Sequence, residues 1–144
     1  MAMCLRTCVQ RVSIRSIWAH LLPVRSHEDL PQKIFEIGDV LYLDDSKENK
    51  TVSSKKLAAL ICHSTANFTE IKSVMTSVLS NLGYSMEISD SENKTFIEGR
   101  VADVEGVSEK GYVKGFFGEI SPEVITNFTL EYPVIGFEIE FINK

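Results

Sequence analysis

The stretch from Gly115 to Phe141 leaves the chain few choices, because it spells a strand, a helix start and a second strand with almost nothing between them. Gly115-Phe116-Phe117-Gly118, with Ile120 beyond it, is an apolar run framed by glycines, the pattern of a buried strand. Ser121 before Pro122 reads as a helix N-cap with proline at the first helical position, where its missing N–H costs nothing. Glu119 and Glu123 lie near that start, where the helix dipole favours negative charge. Tyr132-Pro133 is expected to stop the helix, since the residue before a proline avoids helical backbone. Ile135, Phe137, Ile139 and Phe141 then alternate with Gly136, Glu138 and Glu140, the period of a strand buried on one face. A chain that ends as strand, short helix and strand needs a sheet to return to.

The upstream sequence supplies one. Leu30 to Leu43 is an apolar, β-branched run of strand length in which Gly38-Asp39 breaks the phase, as a bulge would. Asp44 to Ser54 is polar and reads as a connecting loop, and Lys56 to Cys62 follows as a central-type strand, so the two runs suggest a hairpin. Asn67 and Glu70 have capping-box spacing. Behind them Ile71, Val74, Met75, Val78, Leu79 and Leu82 recur at helical period, with Gly83 placed to end the helix. Ile71, Val74, Val78 and Leu82 are the expected buried face. Tyr84 to Ile88 and Thr95 to Val104 read as further strands, the second pairing with Val113 to Ile120 across a turn from Glu105 to Gly111. Helices between hairpin-joined strands predict an α+β domain, a mostly antiparallel sheet flanked by helices.

At 144 residues one domain suffices, and no apolar run reaches the roughly 20 residues that would span a bilayer. The net charge of −5 is unevenly spread: Met1 to His27 holds four arginines and no acid, leaving 11 basic against 20 acidic residues beyond it. That balance argues against broad gripping of phosphate backbones, so contacts with RNA are expected to be few and local. Cys4, Cys8 and Cys62 have neither metal-site spacing nor an even count for disulfides, which suits reduced thiols in the cytoplasm. Cys62 beside His63 does not make a nucleophile and base, because neighbours in a strand point to opposite faces.

Arg100 is the single arginine after residue 25 and sits next to Gly99 in an expected strand. A guanidinium there suits a carboxylate or phosphate of a substrate, while an ion pair with one of the chain's acids is the commoner outcome. No phosphate loop, zinc-ligand spacing or nucleophile elbow occurs, and His20, His27 and His63 are scattered. The expectation is therefore no catalytic residue, no metal ligand, and Arg100 as the one candidate for substrate binding.

Gly118-Glu119-Ile120-Ser121-Pro122-Glu123-Val124, with Asn127-Phe128, Leu130-Glu131, Pro133 and the Phe137-Glu138-Ile139 strand, resembles the C-terminal part of phenylalanine–tRNA ligase β subunits of the archaeal type. His27-Glu28-Asp29 and the run from Leu30 to Leu43 resemble the same family at a second, distant place. The resemblance implies a catalytically silent version of the class II aminoacyl-tRNA synthetase core over residues 27–144. Its partner would be the catalytic α subunit, and ATP and Mg²⁺ would serve the whole assembly rather than this chain. In active class II modules a late Gly-rich strand leads into an arginine that holds ATP; the matching stretch here, Val134 to Ile139, has none. A β subunit is much longer, so the chain is expected to be a fragment of one or a stand-alone noncatalytic binding module derived from it. An independent ATP-using enzyme would need phosphate-binding groups that the sequence lacks. Residues 1–26, partly helical by expectation around Val9 to Leu22, have the acid-free, Arg-rich composition of targeting segments. Leu5-Arg6-Thr7 resembles an element that precedes this region in the family and favours a divergent family segment.

Overall fold

The computed structural model describes residues 30–143 apart from 47 and 50, so the expectations for residues 1–26 and for residues 27–29 lie outside it. Along the described chain run β1 (Gln32–Leu43), β2 (Thr51–Cys62), α1 (Phe68–Asn81), β3 (Ser85–Asp90), β4 (Phe96–Ser108), β5 (Gly111–Ile120), α2 (Pro122–Asn127) and β6 (Val134–Asn143). They form one sheet in the order β1-β2-β6-β5-β4-β3, antiparallel throughout. The α+β class read from the sequence is the observed one.

The last strand is the middle of the sheet. β6 enters between β2 and β5, with Val134 opposite Cys62 and Phe137 opposite Phe117. Its closeness to β5 depends on Gly115, where a Cβ would stand 2.1 Å from the Glu138 carbonyl oxygen. Alternation along β6 sends Ile135, Phe137 and Ile139 toward α1, whose Ile71, Met75 and Leu79 are fully buried against them. On the opposite face α2 and the loop after it bring Val124, Ile125, Phe128 and Leu130 onto Leu60, Cys62, Phe96 and Val134. Apolar burial on both faces is the main stabilising term.

Both helix starts obey local chemistry. Asn67 Oδ1 accepts from the Glu70 N–H at 3.1 Å, and Ser121 Oγ accepts from the Val124 N–H at 3.4 Å behind Pro122. Gly83, at φ +83°, ends α1, and its N–H bonds back to the Ser80 carbonyl.

Five expectations need correction. First, β1 has no bulge at Gly38-Asp39; those residues sit opposite Lys56 and Lys55 in unbroken register, and the irregularity lies in β4 between Phe96 and Val101. Second, α2 ends at Asn127, well before Pro133, because Thr129 adopts φ +55° while the Phe128, Thr129 and Leu130 N–H groups bond back into the last turn. Third, the β4–β5 connection is a tight turn at Glu109-Lys110 rather than a loop from Glu105, since the ladder continues to Ser108 opposite Gly111; β2 likewise begins at Thr51. Fourth, the Asn67–Glu70 box is half formed: the Glu70 carboxylate bonds His63 instead of reaching back to Asn67. Fifth, the buried stripe of α1 is Ile71, Met75 and Leu79; Val74 and Val78 are half-buried and Leu82 is exposed. α1 packs on β3 to β6, so the flank of its apolar stripe that looks toward β1 and β2 is left open.

Candidate functional site

Arg100 owes its position to the irregular part of β4. Between Phe96 and Val101 the ladder to β5 shifts register, and Gly99 takes φ +74°, a conformation that glycine adopts without strain. Arg100 Nη1 there donates to Glu119 Oε2 at 2.7 Å. The other carboxylate oxygen, Oε1, accepts from the Phe68 N–H at 2.7 Å, at the first residue of α1. Glu119 thus offers a buried negative charge to the positive end of a helix and shares it with a guanidinium. The Arg100 side chain itself is 59% exposed. It borders a cleft of about 420 Å³ walled by Ile97, Ile125, Leu130 and Tyr132, with Glu131 also in its lining. Sequence reasoning put Glu119 at the start of α2 and missed that it caps α1, 51 residues away. The available signal was an acid in the apolar run from Gly115 to Ile120.

A second, polar cleft of about 300 Å³ crosses four strands on the face away from α1. Register places Lys56 opposite Glu140, Glu140 opposite Lys114, and Lys114 opposite Glu105, a row of alternating charge from β2 to β4. Glu138 and Asp103 line the same cleft one step along their strands, and Lys56 Nζ reaches Glu138 Oε1 at 3.1 Å. Burial pulls the Lys56 ammonium down, but the hydrogen bond and charge of Glu138, with Tyr42 adding to them, outweigh it and hold its pKa above the ordinary lysine value. With four carboxylates against two ammonium groups and no arginine in its lining, this cleft carries net negative charge.

Cys62 and His63 diverge. The Cys62 thiol is buried and its pKa pushed up by loss of solvent, the reverse of an activated thiolate. His63 instead shares Nε2 with Glu70 Oε2 at 2.7 Å, and the Thr65 N–H donates to its Nδ1 at 3.3 Å. The described residues contain no group of three side chains able to hold a metal ion, and no helix long and apolar enough to cross a membrane.

Residues 15–141 match the family model described as the phenylalanyl tRNA synthetase beta chain CLM domain. The chain is 49% identical over 140 residues to the phenylalanine–tRNA ligase beta subunit of Methanosphaera stadtmanae, a match covering 94% of this chain and 25% of that protein. It is 44% identical over 132 residues to the beta subunit of Methanocaldococcus jannaschii, covering 92% of this chain and 24% of the relative. The beta subunit of Thermococcus onnurineus is 41% identical over 118 residues, covering 82% and 20%. The chain spans about a quarter, 25% and 24%, of the length of the first two of these curated relatives.

Proposed function

The chain belongs to the family of the phenylalanyl-tRNA synthetase beta chain CLM domain, and from that premise we propose that it serves as a noncatalytic, class II-like module of a phenylalanine–tRNA ligase β subunit. Its role is to support the α subunit, which performs the chemistry. The assembly uses ATP and Mg²⁺ to charge tRNA with phenylalanine in the cytoplasm.

The charge row on the sheet is the observation that carries this reading. A nucleoside triphosphate needs concentrated positive charge and Mg²⁺ to stabilise the charge that develops during adenylate formation. On this sheet Lys56 and Lys114 are each set against carboxylates, and Glu138 and Glu140 occupy the strand that resembles the arginine-bearing strand of active modules. These residues do not fit ATP and Mg²⁺, so no step of the reaction is routed through this chain. The same surplus of acids supports few direct tRNA contacts. Arg100 is the one side chain proposed for contact with a substrate group, because its guanidinium is largely open to solvent beside a cleft; its pairing with Glu119 supports a structural part for it at the same time.

Mixing the chain with an archaeal-type α subunit is expected to give co-elution. Titration of the chain alone with ATP and Mg²⁺ is expected to give no saturable heat, and phenylalanine-dependent pyrophosphate exchange by the chain alone is expected to be absent. Exchange activity of the isolated chain would overturn the noncatalytic reading, and failure to co-elute at high concentration would favour a stand-alone binding module.

A further inference from the structure

Between α1 and the β1 edge lies an open groove of about 830 Å³ that no part of the described chain fills. Its floor is Leu57, Ala59 and Ile61 of β2 with Phe137 and Phe141 of β6. One wall is the flank of α1 that the sheet leaves uncovered, Val74, Val78 and Leu82; the far side is Phe35 and Ile37 of β1, which are 74% and 55% exposed. Three charged residues line it and all are lysines: Lys33, Lys55 and Lys110. That is notable in a chain whose net charge is −5.

The lysines sit at the two ends of the groove. Lys33 is opposite Ile61 at one end; at the other, Lys55 is opposite Phe141 and pairs with Asp39 at 2.9 Å, and the β4–β5 turn brings Lys110 there, so Lys33 and Lys110 are the cations left to meet a partner. From Lys33 to Asp39 is about 20 Å at strand rise, the length of a helix of about 13 residues. A helix laid on the sheet beside α1 would cover Phe35 and Ile37 together with Val74, Val78 and Leu82. An extra strand on the β1 edge would cover only the first pair. The geometry points to an amphipathic helix of a partner polypeptide, about 13 residues long, with acidic residues at both ends of its apolar stripe, as the occupant of this groove.

The chain's own segments suit the groove poorly. Met1 to His27 has four arginines and no acid, which would set cation against cation. In a second copy α2 is only 6 residues long, and the outward face of α1 carries Lys72, Ser73, Thr76 and Ser80, which offers no apolar stripe. The inference does not require the partner to be the α subunit, so it stands or falls separately from the function proposed above.

The test uses the full chain and a fluorescein-labelled helical peptide of about 14 residues, leucines at helical period and glutamates near both ends, with a twin carrying lysines instead. Anisotropy should show binding of the glutamate peptide at least about tenfold tighter than its twin. Lys33→Glu with Lys110→Glu should reverse that preference. Phe35→Ser with Leu82→Ser, both at solvent-exposed side chains, should abolish binding while leaving the thermal transition in place. Equal binding of the two peptides, no binding, or indifference to the Phe35 and Leu82 changes would each overturn the proposal. Trp18, the sole tryptophan, reports on self-occupancy. A red shift of its emission caused alike by the peptide and by the Phe35 and Leu82 changes would identify the chain's own N-terminal segment as the occupant, and a monomer–dimer equilibrium abolished by those changes would identify a second copy. Either result would overturn a partner helix.

Discussion

Glu119 does three jobs with one carboxylate: it sits inside β5, receives the first N–H of α1 and anchors Arg100. Replacing it by alanine leaves a helix-end donor and a guanidinium without their acceptor, and should cost about 2–4 kcal/mol in denaturant unfolding. Arg100→Gln removes only the exposed half of the pair and should cost less than about 1 kcal/mol. If Arg100 also holds a substrate group, that variant in the assembled ligase should raise KM with an unchanged melting temperature; an unchanged KM would leave it a purely structural residue. Cys62 and Lys56 give the pH dependence. Both have folded pKa values above their ordinary 9.0 and 10.5, so the folded state holds their protons more tightly than the unfolded chain does. Their contributions are complete below those values and lost as pH rises through the folded ones. Stability should therefore begin to fall above pH 9.0, and Cys62→Ala should flatten the first part of that decline without touching the second. A Cys62→Ala variant with an unaltered alkaline profile would show that the thiol plays no part.

At the scale of elements, what was legible was what neighbouring residues decide. Ser121-Pro122, Asn67, Gly83 and the alternation of β6 are local rules, and all four appear in the structure at the expected residues. What failed depended on distant partners. Gly38-Asp39 looked like a bulge because it breaks the apolar phase, yet β1 is an edge strand on which Asp39 is exposed and pairs at 2.9 Å with Lys55 directly opposite, so a polar residue fits there without distortion. The face of α1 was misread because its stripe is wider than the surface it covers, and only the position of α1 over β3 to β6 decides which part is buried. Arg100 could be singled out from its rarity, but its partner could not, because β5 and the start of α1 meet only in three dimensions. The corrected face makes a sharp prediction. Leu79→Ala should cost about 2–5 kcal/mol, whereas Val78→Ala, at the half-buried groove wall, should cost about 1 kcal/mol or less. Equal losses at the two positions, read from urea midpoints, would return the helix to the orientation first expected.

The described chain is ordered around β6, the strand that follows all its sheet neighbours in sequence. β6 pairs with β2 from Lys55↔Phe141 to Cys62↔Val134 and with β5 on its other side, so the hairpin β1–β2 and the strands β3 to β5 are joined into one sheet only when residues 134–143 arrive. Closing such distant pairs costs chain entropy before the contacts repay it, which places folding in the slower range for small domains, milliseconds to seconds. It also grades local stability. β6 and β5 are hydrogen-bonded on both sides and carry Phe117, Ile135 and Ile139 with almost no exposure, while β1 and β3 are edges with mostly solvent-facing side chains. Amide exchange should therefore be slowest in β5 and β6, opening only with global unfolding, and fastest in β3 and the outer half of β1. A chain ending at Pro133 should keep no cooperative transition, because Leu60, Ile71 and Phe117 would lose the strand that lies between or beneath them. A truncated chain that still melted cooperatively, or exchange slower in β1 than in β6, would mean that the two halves of the sheet are stable units on their own and that the C-terminal strand only bridges them.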